Sequence, residues 1–223
     1  MPDTISLIAR SLSADVEQLA IVSRNVANLS TPGHRAARAV PEFGDSLRVR
    51  SVVDMRDGPL QQTGRSLDLA MRGSGFFAIE RDGGAALTRN GAFRVDRDGM
   101  LVTSAGERVL GDSGPIALPQ GAIRVDARGE LWSGLRSVGR LQLVSVADAA
   151  GLRAIGGNAY AYDGDLADWQ GTVVQGALEQ SNVDPAMQTV QLMETTRHAE
   201  SVQRAISIYD KAMEGGIEKL GEN

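Results

Sequence analysis

The sequence predicts an α+β chain whose long N- and C-terminal helices form a coiled-coil-like layer, with a central, mainly antiparallel β domain between them. Three observations predict it. Near the start, Ile5, Ile8, Leu12, Leu19, Val22, Val26 and Leu29 recur at steps of three and four, with Asp15 breaking the row. Near the end, Leu192, Thr195, Ala199, Val202, Ile206, Tyr209, Met213, Gly216 and Leu220 keep the same rhythm. That spacing places side chains on one narrow seam. Between the two seams, short β-branched or aromatic runs alternate with turn signals about every 8–12 residues, as in an antiparallel sandwich or barrel-like domain.

The first helix spans about 39 Å over residues 4–29 at ~1.5 Å per residue. Asn28-Leu29-Ser30-Thr31-Pro32-Gly33 ends it, because proline disfavours helix at the residue before it. Residues 34–58 are polar and weakly patterned, with Pro41 and an isolated Phe43, and read as an extended connector with some strand. From residue 59 the strand segments begin: Leu67-Leu69-Met71, Phe76-Phe77-Ala78-Ile79, Phe93-Val95, Leu101-Val102, Ile123-Val125, Leu131-Trp132 and Leu141–Val144. Asp82-Gly83-Gly84, Asn90-Gly91, Asp98-Gly99, Ser104-Ala105-Gly106 and Ser113-Gly114-Pro115 punctuate them. The β domain runs to residue 165 and a return linker covers 166–183. Asp184 caps the second helix and Pro185 opens it at the position where its missing N–H costs nothing. Residues 185–220 give that helix a length of about 54 Å. The chain thus divides into 1–33, 34–58, 59–165, 166–183 and 184–223.

Composition excludes several function classes. The formal net charge is −5, and the arginines Arg35, Arg38, Arg48 and Arg50 have Glu42 and Asp45 among them, so no basic nucleic-acid footprint forms. There is no cysteine for a disulfide or thiolate metal site. No basic start with an apolar core of a signal peptide is visible, and no apolar run is long enough to span a bilayer. A chain of this kind leaves the cytoplasm, if it does, uncleaved and without membrane insertion.

No cofactor, metal or catalytic set stands out. The two histidines, His34 and His198, lack a second ligand at helical spacing. Gly73-Ser74-Gly75 precedes a strand pattern rather than a helix and lacks the third glycine of a dinucleotide loop. Asp96-Arg97-Asp98-Gly99 lacks the distal glutamate of a calcium loop and reads as a hairpin turn. Trp132 and Trp169 sit in separate segments and read as packing residues. The chain does not read as an enzyme.

Four segments carry a resemblance to a known family. Ala27-Asn28-Leu29-Ser30-Thr31-Pro32-Gly33 resembles the N-terminal signature of flagellar rod and hook axial proteins. Asp68-Leu69-Ala70-Met71 with Gly73-Ser74-Gly75-Phe76-Phe77 is similar to their central signature, as is Thr88-Arg89-Asn90-Gly91-Ala92-Phe93 continuing through Asp98–Val102 to Gly111. Gly176–Asp184, with Ser181 and Asn182, resembles the segment that opens their C-terminal helix. Chain length and the short path from Phe43 to Asp57-Gly58-Pro59-Leu60 are most similar to a proximal rod protein, with a distal rod protein as the alternative. His34 departs from the aromatic residue usual in the family, and Gly215-Gly216 is unusual in the last helix.

The resemblance implies an axial subunit of the flagellar basal body. It would be exported by the type III apparatus and would polymerise in the periplasm with other copies and other rod subunits to transmit torque. The seam residues named above would carry the contacts between subunits, and Asn28, Thr31, Pro32 and Gly33 would aim the chain into the β domain. A second reading is a β module tethered by its helices that binds cell-wall glycan, which requires an exposed aromatic platform. A hydrolase with a scattered carboxylate pair is a third, which no spacing favours.

Overall fold

Helix occupies the two ends of the chain and strand most of what lies between them. The computed structural model describes residues 2–42 and 48–221, excepting the side chains of residues 2–7, 41–42, 48, 210 and 212–221. The helices are α1 (Pro2–Ala27) and α2 (Pro185–Gly221). After α1 come β1 (Ala37–Glu42), β2 (Arg48–Val53), β3 (Leu60–Gln62), β4 (Leu69–Arg72), β5 (Phe76–Arg81), β6 (Gly84–Thr88) and β7 (Arg94–Val95). Next are β8 (Leu101–Val102), β9 (Arg108–Gly111), β10 (Gly114–Pro115), β11 (Ile123–Val125), β12 (Glu130–Ser133), β13 (Arg136–Arg140) and β14 (Leu143–Val146). A single 3-10 turn at Ala149–Gly151 precedes β15 (Arg153–Gly156), β16 (Ala159–Ala161), β17 (Leu166–Asp168), β18 (Thr172–Gln175) and β19 (Ala177–Glu179).

The chain forms two compact units. The first comprises residues 1–27, 37–51 and 184–223, with both helices and the β1–β2 ladder. The second comprises residues 28–36 and 52–183 and holds the β domain.

In the first unit, Asp184 starts α2 by accepting hydrogen bonds from the Ala186 and Met187 amides at 2.9 and 3.3 Å. The least exposed positions of α1 are Ile8, Ser11, Ala14, Asp15, Gln18, Ile21, Val22 and Asn25, which keep a three-four spacing but are half polar. Its contacts to α2 are polar as well. His198 Nδ1 lies 2.8 Å from Asp15, and Asn25 Nδ2 donates to Gln188 Oε1 at 2.9 Å. Asn25 also clamps Ala37 through both backbone groups, each at 2.9 Å. The expected α+β fold with a coiled-coil-like helical layer is therefore corrected. Among the described residues α-helix is confined to two elements amid nineteen strands, and Leu12, Leu19, Val26 and Leu192 are exposed. The physical reason is that buried Asp15, Asn25, Gln188 and Thr195 occupy the contact, satisfied by hydrogen bonds or ion pairing instead of apolar knobs.

The second unit is built on a ten-stranded sheet with β15-β16-β6-β5-β9-β8-β7 along its main path. β10 adds to β9, β14 to β5 and β17 to β14. β11-β12-β13 form a separate antiparallel sheet, and β18 pairs β4 while β19 pairs β3. The β5–β6 hairpin turns on Asp82 and Gly83, both left-handed at φ 51° and 77°, the geometry that matches strand twist in a two-residue loop. β5 is the central strand. Its Phe77 and Ile79 enter the main core with Leu69, Phe93 and Leu131, while Phe76 enters a second cluster with Leu87 and Tyr160. Burial on both faces explains the unbroken apolar run Phe76–Ile79.

Candidate functional site

Four charged side chains from distant points of the sequence meet inside the second unit. Arg89 directly follows β6 and is fully buried; Glu179 closes β19 and is buried beside it. Arg89 Nε donates to Glu179 Oε2 at 2.5 Å and Arg89 Nη2 to Asp57 Oδ1 at 2.9 Å. Arg35, also buried, donates to Asp57 Oδ1 at 3.0 Å, lies 3.1 Å from Glu179 Oε1 and donates to the Arg56 carbonyl. Two guanidiniums thus face two carboxylates, and the formal charges cancel.

Backbone groups take up most of the remaining donors and acceptors, Arg35 Nε being buried without a partner among the described residues. Arg89 donates to the carbonyls of Gly73 and Gly75 at 2.7 Å each and of Met71 at 3.0 Å, so one side chain fixes the whole β4–β5 turn. The Gly58 amide donates to Glu179 Oε1 at 2.7 Å and the Gly73 amide to Asp57 Oδ2 at 2.8 Å. Burial pushes the Arg89 guanidinium below its ordinary pKa, opposed chiefly by the charge of Glu179. For Asp57 burial acts upward, but the Gly73 amide, the Arg35 hydrogen bond and the charges of Arg89 and Arg35 outweigh it and hold the carboxyl below its usual value.

The signature segments converge on this cluster. Gly33, at φ +70°, donates its amide to the Glu179 carbonyl at 2.7 Å, and a Cβ there would stand 2.4 Å from the Arg89 and Asn90 backbone. Gly91 is needed for a different reason: a Cβ on it would meet the Leu69 carbonyl oxygen at 1.7 Å. Asn28 and Thr31 form the turn ahead of Gly33, with Thr31 donating to Asn28 through amide and hydroxyl at 3.1 Å each. The Pro32 carbonyl accepts from Asn158 Nδ2 at 3.2 Å, and His34 Nδ1 lies 3.1 Å from Asn158 Oδ1. Asn182 clamps three backbone groups: its Oδ1 accepts from the Ala36 amide at 2.6 Å, and its Nδ2 donates to the Asp54 and Arg56 carbonyls at 3.0 and 2.7 Å. Ser181 accepts from the Val183 amide, and Asn90 from the Ala92 amide. Phe77 and Phe93 meet edge to face at 5.1 Å, and Phe76 meets Tyr160 at 5.8 Å. Gly75 lies against the Trp169 indole.

The seam residues are placed differently. On α1, Val22 is buried, Ile8 is half-buried, and Leu12, Leu19 and Val26 are exposed; Leu29, just beyond that helix, is half-buried. On α2, Leu192 is exposed while Val202, Ile206 and Tyr209 are half-buried. Ile5, Met213 and Leu220 lie in the helices with their side chains outside the described residues; Phe43 and Asp45 lie outside the described residues altogether. Sequence reasoning did not single out Arg35, Asp57 and Glu179 as partners. The only signal for them is that each stands within three residues of a motif glycine, Gly33, Gly58 or Gly176.

Every carboxylate of the cluster is held by a guanidinium and a backbone amide. Among the described residues no group of three or more His, Cys, Asp or Glu side chains could hold a metal ion. Asp96 accepts from the Asp98 and Met100 amides at 2.9 and 2.8 Å and so shapes a turn. The arrangement is a structural lock.

Comparison with known proteins gives this lock its context. Residues 70–132 match the family described as flagellar hook protein FlgE/F/G D1 domain, and residues 174–217 the flagellar basal body rod FlgEFG protein C-terminal family. The chain is 32% identical to the flagellar basal-body rod protein FlgF of Caulobacter vibrioides, with 92% of each chain covered. It is 34% identical to FlgF of Escherichia coli over 89% of this chain and 90% of the other. A flagellar basal-body rod protein FlgG of Buchnera aphidicola is 29% identical over 91% and 94%. The chain belongs to the flagellar basal-body rod protein family. Within it the chain is FlgF-like, a structural subunit of the rod that assembles with other rod subunits in the flagellar basal body.

Proposed function

We infer that this subunit polymerises through the exposed apolar side chains of its two terminal helices and performs no chemistry. The observation that carries the reading is the row Leu12, Val16, Leu19 and Val26 on α1, exposed by 36 to 61%, together with Met187, Val190, Leu192 and Met193 on α2. Apolar rows of this kind on a helix whose other face is already engaged mark a surface for a further partner. Residues 1–33 and 184–223 serve as assembly segments, 34–58 as connector, 59–165 as the β domain and 166–183 as the return linker. The subunit is exported uncleaved by the flagellar type III apparatus and works in the periplasm, where the polymer transmits torque. No helix of the described residues is long and apolar enough to cross a membrane.

For the glycan-binding alternative, both tryptophans are engaged by their own chain among the described residues. Trp169 packs on Gly75 and Gly171, and Arg124 lies 5.6 Å over the Trp132 ring.

Replacing Leu19 and Val26 by Asp in the chromosomal gene tests the reading, with isolated basal bodies imaged by electron microscopy beside a swimming assay. The expected result is a stub or no rod, without hook or filament, from protein present at normal level. Normal basal bodies and normal swimming would overturn it.

A further inference from the structure

The chain passes from one unit to the other after residues 27, 36, 51 and 183. At the second of these crossings, between Ala36 and Ala37, asparagine side chains hold both neighbouring residues. Within the helical unit, the Ala37 amide donates to Asn25 Oδ1 and the Ala37 carbonyl accepts from Asn25 Nδ2, each at 2.9 Å. Within the β unit, the Ala36 amide donates to Asn182 Oδ1 at 2.6 Å and the Ala36 carbonyl accepts from the Asp54 amide at 2.7 Å. All four backbone polar groups of two consecutive residues are thus engaged.

Each grip is itself anchored. Asn25 is buried and its Nδ2 also donates to Gln188 Oε1 at 2.9 Å, which ties the hold on Ala37 to α2. Asn182 Nδ2 donates to the Asp54 and Arg56 carbonyls at 3.0 and 2.7 Å, and the Asn182 amide donates to the His34 carbonyl at 3.3 Å. Arg35, directly before Ala36, is buried in the ion cluster with Asp57 and Glu179. Segments that join two units are ordinarily exposed and make few contacts, which leaves them free to turn. This crossing differs, because rotation of its backbone breaks hydrogen bonds on one side or the other.

We propose that Asn25 and Asn182 are positioning residues for torque: they make the Ala36–Ala37 peptide a fixed coupling, so that twist entering through the terminal helices is passed along this crossing instead of being taken up by backbone rotation. The proposal rests on the reading of the chain as a torque-transmitting rod subunit and names side chains through which the twist passes. The two grips act in series on one peptide link, so losing either frees it and losing both adds little.

Hydrogen exchange of single amides in the full chain, read by NMR, tests the coupling. Asn182→Ala removes the acceptor of the Ala36 amide and leaves that of Ala37 in place. A coupled crossing nevertheless exchanges faster at Ala37, by about fivefold, the scale of one hydrogen bond. Asn25→Ala does the reciprocal at Ala36, and the double variant exchanges no faster at either amide than the faster single one. Thr103→Ala, which removes a hydrogen bond to Glu107 inside the β unit, is the control and leaves both amides unmoved. An Ala37 amide unchanged by Asn182→Ala, or one that the control moves as much, overturns the proposal. In cells, Asn182→Ala is expected to build rods, hooks and filaments in dilute medium and to lose filaments when swimming in a viscous polymer solution. Rods that keep their filaments under that load as wild type does would overturn it as well. If Asn182→Ala builds no rod, the exchange measurement on purified chain decides. The two readings fail separately. Normal rods from the Leu19 and Val26 variants sink helix-mediated assembly alone, and an unmoved Ala37 amide sinks the coupling alone.

Discussion

The imidazole Nδ1 of His198 lies 2.8 Å from both carboxylate oxygens of Asp15, joining the two helices of the terminal unit through a buried acid and a half-exposed base. A polar pair at such a position fixes which residues of two helices meet, at some cost in stability. Its two halves differ in what they lose. His198→Ala leaves the buried carboxylate without its cross-helix partner, and the expected cost is about 1–3 kcal/mol. Asp15→Ala leaves an imidazole that solvent can reach, and the expected cost is below about 1 kcal/mol. Hydrogen exchange of the α1 and α2 amides measures both. A larger loss for Asp15→Ala than for His198→Ala would defeat the argument.

Glu179 is the hinge of the buried cluster, because both guanidiniums and the Gly58 amide bond to its carboxylate. Removing it as Glu179→Ala leaves two buried cations to share the single carboxylate of Asp57, and the expected loss is about 3–5 kcal/mol. The double variant Arg89→Met with Glu179→Leu is expected to lose much less than the sum of the single ones, since no uncompensated charge pair remains between those two positions. Trp132 and Trp169 both lie in the β unit, so their fluorescence during urea unfolding reports on it. Additive single and double losses would show that Arg89 and Glu179 act independently.

How much of this was legible follows from separation along the chain. The helix ends could be read because caps and periodicity are local: Asp184 and Pro185 announce α2, and Asn28 to Gly33 close α1. The face α1 turns to α2 could not. Ile8 and Val22 belong both to the apolar row and to the observed contact, but Ser11, Asp15, Gln18 and Asn25 complete the contact while Leu12, Leu19 and Val26 are exposed. Two rows with the same spacing compete, and apolarity selects the outward one. The ion cluster was hidden for another reason. Arg35, Asp57, Arg89 and Glu179 are separated by tens of residues, and no periodicity relates partners brought together by strand pairing. Only the motif glycines beside them carried a trace, as places where backbone must approach closely.

Asp57 makes the stability of the β unit depend on acid. Its carboxyl titrates below its usual value in the folded chain, so the unfolded state takes up the proton first as pH falls. The ionised group therefore stabilises fully above its unfolded pKa of about 3.9, and the contribution is lost as pH drops through the folded value. Asp57→Asn keeps the shape and removes the titration. The expected outcome is a wild-type advantage in urea midpoint that holds from pH 6 to about pH 4 and shrinks only below it. An advantage that stays constant below that point as well would mean that some other group carries the dependence.

The two units should also differ in resistance to protease. In the terminal unit, Ile21 and Val22 are the only buried apolar side chains among the described residues, and the helix contact is made largely by hydrogen bonds. The β unit holds a continuous core of Leu69, Met71, Phe77, Ile79, Phe93, Leu131 and their neighbours, reinforced by the ion cluster. Opening free energy follows buried apolar area, so the helices open locally long before the sheet does. Limited digestion of monomeric full-length protein is expected to cut within residues 1–27 and 184–221 first and to leave a fragment containing residues 52–183. Assembly through the exposed helix rows would then protect those same sites, and protection should rise with protein concentration. First cuts inside the β5–β6 or β8–β9 strands, or helices that resist protease in a sample shown to be monomeric, would contradict this ordering of stability.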